Sequence, residues 1–291
     1  MIEFYVAEQT FDENGDRTVI GKEKITEDEI NSFLSKFDFM GNINPTRRSY
    51  EIAIRNAREY QLYMDHSNLK KQVLDLKTPP EIMATEINRL IFNFCVSAQS
   101  FINYAQKSAG TIGEAEKKHF IKYTNHLFDN CFPYRFFCKL RNFCAHYSFP
   151  ITQITASDPG VVQVTSGKEH LLSYDGWGAI VKKDLKKMKS EINILEYVDP
   201  FLEALTELLM LIFYYHTPSY LDSLHAYIDL QEKYKVITPI FISFDGKQPM
   251  GLKPIPINKV VDDLPLLGNN PFQNVIVSHD GNKLNLRIIP K

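Results

Sequence analysis

The residues best suited to chemistry lie in one short stretch, Tyr134 to Tyr147, which reads YRFFCKLRNFCAHY. The stretch contains no Gly or Pro, whereas Pro133 precedes it and Pro150 follows it closely. Pro is favoured at the first helical position and ends a helix when it follows one, so the sequence predicts a single helix of about four turns.

A polar stripe runs along this predicted helix. Because successive residues are about 100° apart round a helix, four polar side chains share one side and apolar side chains share the other. Arg and Lys bind phosphate oxygens, Asn orients a hydroxyl group or a water, and a histidine with its ordinary pKa near 6.5 transfers protons at neutral pH. The stripe therefore suits a phosphodiester, with Arg135 and Lys139 as substrate-binding residues. Its members are Arg135, Lys139, Asn142 and His146, opposite Phe136, Leu140, Phe143, Cys144 and Tyr147.

Arg141 lies off the stripe, about 140° from His146 round the helix. The two side chains would meet only if the long arginine side chain turned towards the stripe, or if a second chain brought another helix alongside. The spacing therefore predicts a symmetric dimer that meets through the face bearing Asn142 and His146.

The segment from Arg141 to His146, RNFCAH, resembles the signature of the HEPN superfamily. That signature is an Arg, a polar residue and, a few positions on, a His near the end of a bundle helix. The flanking sequence from Glu81 to Pro150 also resembles the family, with a long helix and a second helix before the motif helix. The resemblance covers about a quarter of the chain.

This resemblance implies a helical bundle that dimerises and cuts RNA without a metal or cofactor, as in toxin–antitoxin and phage-defence systems. It implies catalytic roles for Arg141, Asn142 and His146. His146 would act as general base or acid, Arg141 would neutralise charge on phosphorus, and Asn142 would hold His146 or the nucleophile. The expected product is a 2′,3′-cyclic phosphate. An antitoxin or regulatory protein is a further expected partner.

Whole-chain composition leaves an alternative open, which is a non-catalytic RNA-binding or protein-interaction module. The net charge is −2, so no overall basic field attracts nucleic acid. No signal peptide or apolar run of membrane-spanning length is present, and a cytoplasmic protein without membrane contact is expected. The four cysteines include no CxxC pair and are expected to be reduced core residues.

The chain as a whole is predicted to be mainly α, an HEPN-like bundle with small β-hairpin additions. Residues 1–78 would form a hairpin and helices, 79–235 the bundle with a hairpin insertion at about 151–175, and 236–291 a β-rich appendage. The lysine-rich run from Ala179 to Ser190 is a second candidate RNA contact or a solvated helix face. The shared core of the three bundle helices is predicted to contain Phe92, Val96, Phe136, Leu140 and Phe143.

Two further expectations concern polar residues. Asn93, Ser97 and Ser100 form a polar line that supports either the motif helix or an ordinary contact between helices. The seven other histidines are expected at the surface or at caps, with His216 at the end of an apolar helix, where a cation would interact well with the dipole.

Overall fold

The computed structural model describes residues 2–157, 161–246, 248–280 and 283–290, with the main chain alone for 275–280, 283–288 and 290. Over these residues the protein is mainly helical, with small antiparallel sheets, as the sequence predicts. The chain divides into a terminal unit, Met1–Ile43 with Phe213–Lys291, and a central unit, Asn44–Ile212. The division into segments 1–78, 79–235 and 236–291 stays a prediction.

The helices and strands alternate in blocks along the chain. In chain order they are β1 Ile2–Phe11, β2 Arg17–Ile25, α1 Glu27–Leu34, α2 Met40–Tyr63, α3 His66–Leu74, α4 Pro80–Ile112, α5 Glu114–Asn130, α6 Phe132–His146, β3 Gln153–Ser157, β4 Val161–Gly167, α7 Lys168–Leu172, α8 Ala179–Lys187, β5 Glu191–Ile192, α9 Val198–Tyr234, β6 Pro239–Asp245, β7 Gln248–Pro254, α10 Ile257–Gly268, β8 Gln273–Asp280 and β9 Lys283–Pro290.

Several elements form where local signals place them. The spacing of Thr26 and Glu29 predicts a capping box at the start of α1. It is present, since Thr26 accepts from the Glu29 amide and Glu29 accepts from the Thr26 amide. Helices α4, α5 and α6 follow one another as predicted. Strands β1 and β2 pair as the expected N-terminal hairpin.

Two predicted helix boundaries are wrong. The sequence predicts a break over 41–45 and one helix from Thr46 to Leu76, but α2 begins at Met40 and α3 is separate. Pro45 lies only six residues into α2, where its missing N–H removes one hydrogen bond of the early helix. Asp65 accepts from the Ser67 amide at 2.9 Å and so starts α3 as a new helix.

Helix α9 continues through Pro218, although the sequence predicts an end there. Thr217 Oγ1 donates to the Phe213 carbonyl at 3.0 Å and accepts from Gln273 Nε2 at 2.7 Å. The Gln273 side chain thus contacts α9 beside the proline, and tertiary contacts of this kind outweigh the local stop signal. The predicted β-rich appendage also contains a helix, α10.

The core of the central unit is aromatic and lies against α6. Phe136 stacks on Trp177 with ring centres 5.7 Å apart, and Phe137 stacks on Phe201 at 4.8 Å. Phe136, Leu140 and Phe143 are buried, as predicted. Phe92 and Val96 are only half-buried, so their placement in the core is wrong. Other residues of α4 take that place: Ile91, Phe94, Cys95 and Ala98.

The described strands form three antiparallel sheets. The terminal unit has the order β2-β1-β6-β7, so the N-terminal hairpin pairs with the C-terminal β region through β1 and β6. The central unit has the order β3-β4-β5, in which β5 is two residues long. Strands β8 and β9 pair with each other. The predicted turns at 158–160 and 279–282 lie wholly or partly outside the described residues.

Candidate functional site

The end of helix α6 carries the candidate site. The helix starts after Cys131 with Pro in its first turn, and its last residue is His146. The amides of Tyr147 and Ser148 both donate to the Phe143 carbonyl, at 2.9 and 3.1 Å, and so close the last turn. A cationic histidine at this position is favoured by the helix dipole.

His146 is open to solvent. Its neighbours Ala145 and Tyr147 are also exposed, Tyr147 to 51%. The Tyr147 hydroxyl donates to Ser173 Oγ at 3.0 Å, so this ring is held in place beside the histidine. The imidazole can therefore meet a ligand from solvent.

Arg141 and Asn142 contact each other directly. Arg141 Nη1 donates to Asn142 Oδ1 at 3.0 Å, which turns the guanidinium towards the polar stripe. Arg141 Nε is buried and has no hydrogen-bond partner among the described residues. Asn142 therefore orients Arg141, whereas the sequence predicts that it holds His146 or the nucleophile.

The Arg135 side chain is buried and bonded to other groups of the protein. Its residue exposure is 8%, and its Nη2 lies 2.7 Å from Asp184 Oδ2. Its Nη1 donates to the carbonyls of Phe128 and Asp129, both at 3.2 Å. Arg135 therefore has a structural role, although the stripe predicts that it binds substrate.

Lys139 remains on the stripe next to this ion pair. It is half-buried, and its Nζ lies 6.0 Å from the centre of the Phe128 ring. An aromatic face at this distance attracts the ammonium group and limits its motion. Of the two predicted substrate-binding cations, Lys139 is the one whose charge is not taken by a carboxylate in the described residues.

Two carboxylates in or near the lysine-rich run form ion pairs. Lys182 Nζ lies 2.7 Å from Asp175 Oδ1, and Asp184 of α8 holds Arg135. Lys183, Lys186 and Lys187 are exposed. The run thus presents a solvated lysine face on a helix whose other polar groups stabilise the fold.

The polar line of α4 contacts α2. Asn56 Nδ2 donates to Ser97 Oγ at 2.9 Å and to the Asn93 carbonyl at 3.4 Å, and Ser100 bonds within its own helix. Of the two alternatives that the sequence leaves open for this polar line, the structure shows the ordinary contact between helices.

Asn88, which sequence reasoning missed, supports the chain after the motif helix. Its Oδ1 accepts from the Ile151 amide at 3.0 Å, and its Nδ2 donates to the Ile151 carbonyl at 3.4 Å. The side chain thus pairs with one main-chain residue as a strand would. No sequence spacing links positions 63 residues apart.

His170 brings a second imidazole to the end of α6. Its Nε2 donates to the Phe149 carbonyl at 2.9 Å, and its ring meets Phe143 edge-on at 5.5 Å. A carbonyl only accepts, so this contact fixes the proton on Nε2. The sequence places His170 among surface histidines, and only tertiary structure brings it here.

The cysteines of the central unit are free thiols. Burial raises the pKa of both Cys138 and Cys144 to about 12, which keeps them protonated at neutral pH. Cys144, although it lies inside the motif, is therefore a packing residue. Nowhere in the described ranges do three or more His, Cys, Asp or Glu side chains gather as ligands for a metal ion.

Compared with protein-family models, curated protein sequences and solved structures, the chain shows no significant match. Among the helices that the structure describes, none combines the length and apolar character needed to cross a bilayer.

Proposed function

We propose that the chain is a metal-independent endoribonuclease of the HEPN type. The observation that carries the proposal is the contact between Arg141 Nη1 and Asn142 Oδ1, which directs the arginine towards the stripe that ends in the exposed His146. A cation and a proton-transfer group then share one end of a helix. A phosphodiester is the group that uses both.

The proposed reaction is an attack of the ribose 2′-oxygen on the adjacent phosphorus. His146 accepts the 2′-hydroxyl proton as the bond from O2′ to phosphorus forms. The bond from phosphorus to the 5′-oxygen breaks, and that oxygen takes a proton from a second acid. The products are a 2′,3′-cyclic phosphate and a 5′-hydroxyl.

Arg141 stabilises the charge that builds on the phosphoryl oxygens in the transition state. Asn142 holds the guanidinium by its Oδ1 atom, so the arginine loses less freedom when it meets the phosphate. Lys139 supplies further attraction for the backbone of the RNA.

A symmetric dimer would supply the second acid. One imidazole cannot accept and donate a proton at the same moment, and an isologous contact would place a second His146 beside the first. We propose that two α6 ends meet in this way, with an antitoxin or regulatory protein as a further partner in the cell. Light scattering over a concentration series, run beside the cleavage assay, tests whether activity follows the dimer.

The decisive experiment incubates mixed single-stranded RNA with the protein in EDTA and analyses the ends by mass spectrometry. We expect cyclic phosphate ends, and we expect His146→Ala to lower the rate about a hundredfold or more. His225→Ala, which removes an exposed histidine of α9, is the matched control and should cut at the wild-type rate.

A non-catalytic RNA-binding or protein-interaction module is the second candidate. The pairing of Arg135 with Asp184 favours the protein-interaction form, because the stripe then offers fewer free cations to any phosphodiester. RNA that is bound but not cut by the wild-type chain would replace the nuclease proposal with this one. Cleavage that His146→Ala leaves unchanged would do the same.

A further inference from the structure

A groove in the central unit borders an edge of strand β4. Its volume is 870 Å³, and the consecutive residues Val162, Gln163, Val164 and Thr165 all line it. Side chains alternate between the two faces of a strand, so a groove over one face would be lined by every second residue. Lining by consecutive residues means that the groove follows the edge.

The hydrogen bonds around β4 identify the atoms that face the groove. Lys168 N donates to the Ser190 carbonyl at 2.8 Å on the β5 side, whereas Gly167 N donates to Thr152 Oγ1 at 3.0 Å on the β3 side. Successive residues of a strand direct their main-chain groups to opposite edges. The N–H and C=O groups of Val162 and Val164 therefore face away from β3, towards the groove.

Strand β5 stops before it reaches these groups. It pairs with β4 only at Ser166↔Ile192 and Gly167↔Glu191. Asn193 Oδ1 then accepts from the Leu195 amide at 3.2 Å and starts the 3-10 turn Ile194–Tyr197, which leads the chain away from β4. In the described part of the chain, no strand pairs with β4 on this side from Val161 to Thr165.

We propose that this groove binds an extended peptide of a partner protein, which adds as a strand to β4 in line with β5. The main-chain groups of Val162 and Val164 would bind the peptide backbone, the usual source of affinity in strand addition. About five residues fit along the open edge, a length of about 17 Å. The buried side chains of Met64 and Leu69 lie at the same groove and favour an apolar residue on that face.

Charge in the groove sets the direction and sequence of the peptide. Lys187 and Lys189 come before β5, and Glu191 and Glu196 come at or after it; all four are exposed. Because β5 runs antiparallel to β4, Glu191 pairs with Gly167 next to the open edge, and the lysines lie farther away, beyond the C-terminal end of β4. An antiparallel peptide would thus carry a basic residue near its own N-terminus. This proposal does not depend on ribonuclease activity.

The test selects binders from a displayed library of random heptapeptides against the full chain and remakes them as fluorescent synthetic peptides. We expect alternating apolar residues and a basic residue in the N-terminal half. N-methylation of the two amides that pair with β4 should weaken binding about tenfold, since it removes two hydrogen bonds, and N-methylation of the intervening amides should not. The peptide of reversed sequence is a further control.

A charge reversal tests the orientation on the protein side. The variant Glu191→Lys should bind the selected peptide about tenfold more weakly, and a peptide with Glu in place of its basic residue should restore binding. Failure to select any peptide, or equal effects of both N-methylation patterns, would overturn the proposal. Dimerisation that the peptide inhibits would also overturn it, because the occupant would then be a second copy of this chain.

Discussion

Arg135 of α6 and Asp184 of α8 share a two-pronged contact, in which Nε and Nη2 lie 2.8 and 2.7 Å from the same Oδ2 atom. The third nitrogen of the guanidinium, Nη1, bonds the carbonyls of Phe128 and Asp129 at the end of α5. One arginine therefore ties three helices of the central unit together. The residue that the sequence presents as a phosphate ligand is instead a structural connector.

Replacing Asp184 with Ala should destabilise the protein by about 3 kcal/mol, because it leaves a buried guanidinium without its counter-charge. Urea unfolding measures the change. The control is Asp175→Ala, which breaks the exposed ion pair with Lys182 and should leave the midpoint almost unchanged. If the two variants lower the free energy of unfolding equally, the contact between Arg135 and Asp184 contributes little stability.

Arg141→Lys should lower the single-turnover cleavage rate about a hundredfold while RNA affinity stays close to wild type. Lysine keeps the positive charge but loses the planar fork, and its single nitrogen cannot contact Asn142 and a phosphate in the same geometry. An Arg141→Lys enzyme that cuts at the wild-type rate would show that charge alone is needed there.

Lys139→Ala should chiefly weaken RNA binding and make the salt dependence of affinity shallower by about one counterion. The measurement is fluorescence anisotropy with labelled RNA at several salt concentrations. Lys107→Ala, an exposed lysine of α4, is the control. If the two variants have the same salt dependence, Lys139 does not contact phosphate.

Asn88→Leu should destabilise the protein by about 2 kcal/mol, since it leaves the N–H and C=O of Ile151 unpaired in a buried position. Hydrogen exchange at the Ile151 amide should become faster than in the wild type. Asn103→Leu, at an exposed position of the same helix, should change neither quantity. Unchanged exchange at Ile151 would show that other contacts hold this segment.

Stability should depend on His216 in mildly acidic solution. This residue is buried in the middle of α9, not at a helix end as predicted, and burial lowers its pKa from 6.5 to about 4. Between these values the unfolded chain binds a proton that the folded chain does not, so stability falls as the pH drops from about 6.5 to about 4. The slope is at most about 1.4 kcal/mol per pH unit.

His216→Phe should remove that part of the pH dependence, and His225→Phe should retain it. Thermal unfolding at several pH values between 4 and 7 compares the slopes of the two variants with the wild type. A slope that is equal in all three proteins would assign the acid sensitivity to carboxylates.

Local signals in the sequence predict local structure well. The capping box at Thr26 and the helical pattern that predicts a helix from Glu114 to Asn130 depend on contacts within a few residues, so the sequence contains the information directly. The stripe on α6 is also predicted, because helical spacing is fixed once the helix is known.

The differences at Pro218, Arg135 and His170 come from contacts between distant residues. Pro218 would end an isolated helix, but a hydrogen bond from Gln273 to Thr217 and the surrounding packing keep α9 continuous. Asp184, which pairs with Arg135, is 49 positions away in the sequence. His170 contacts Phe143 only because the tertiary structure brings them together. Composition and periodicity contain no signal for such pairs.

The pairing of β1 with β6, from Ile2↔Asp245 to Glu8↔Pro239, has a consequence for synthesis on the ribosome. At about 5–20 residues per second, β6 emerges roughly ten to fifty seconds after β1. Throughout that interval the edge of β1 that β6 will cover is free to pair with strands of other nascent chains. Completion of this sheet is therefore a late event of cotranslational folding, and the N-terminal hairpin is where a chaperone would protect the nascent chain.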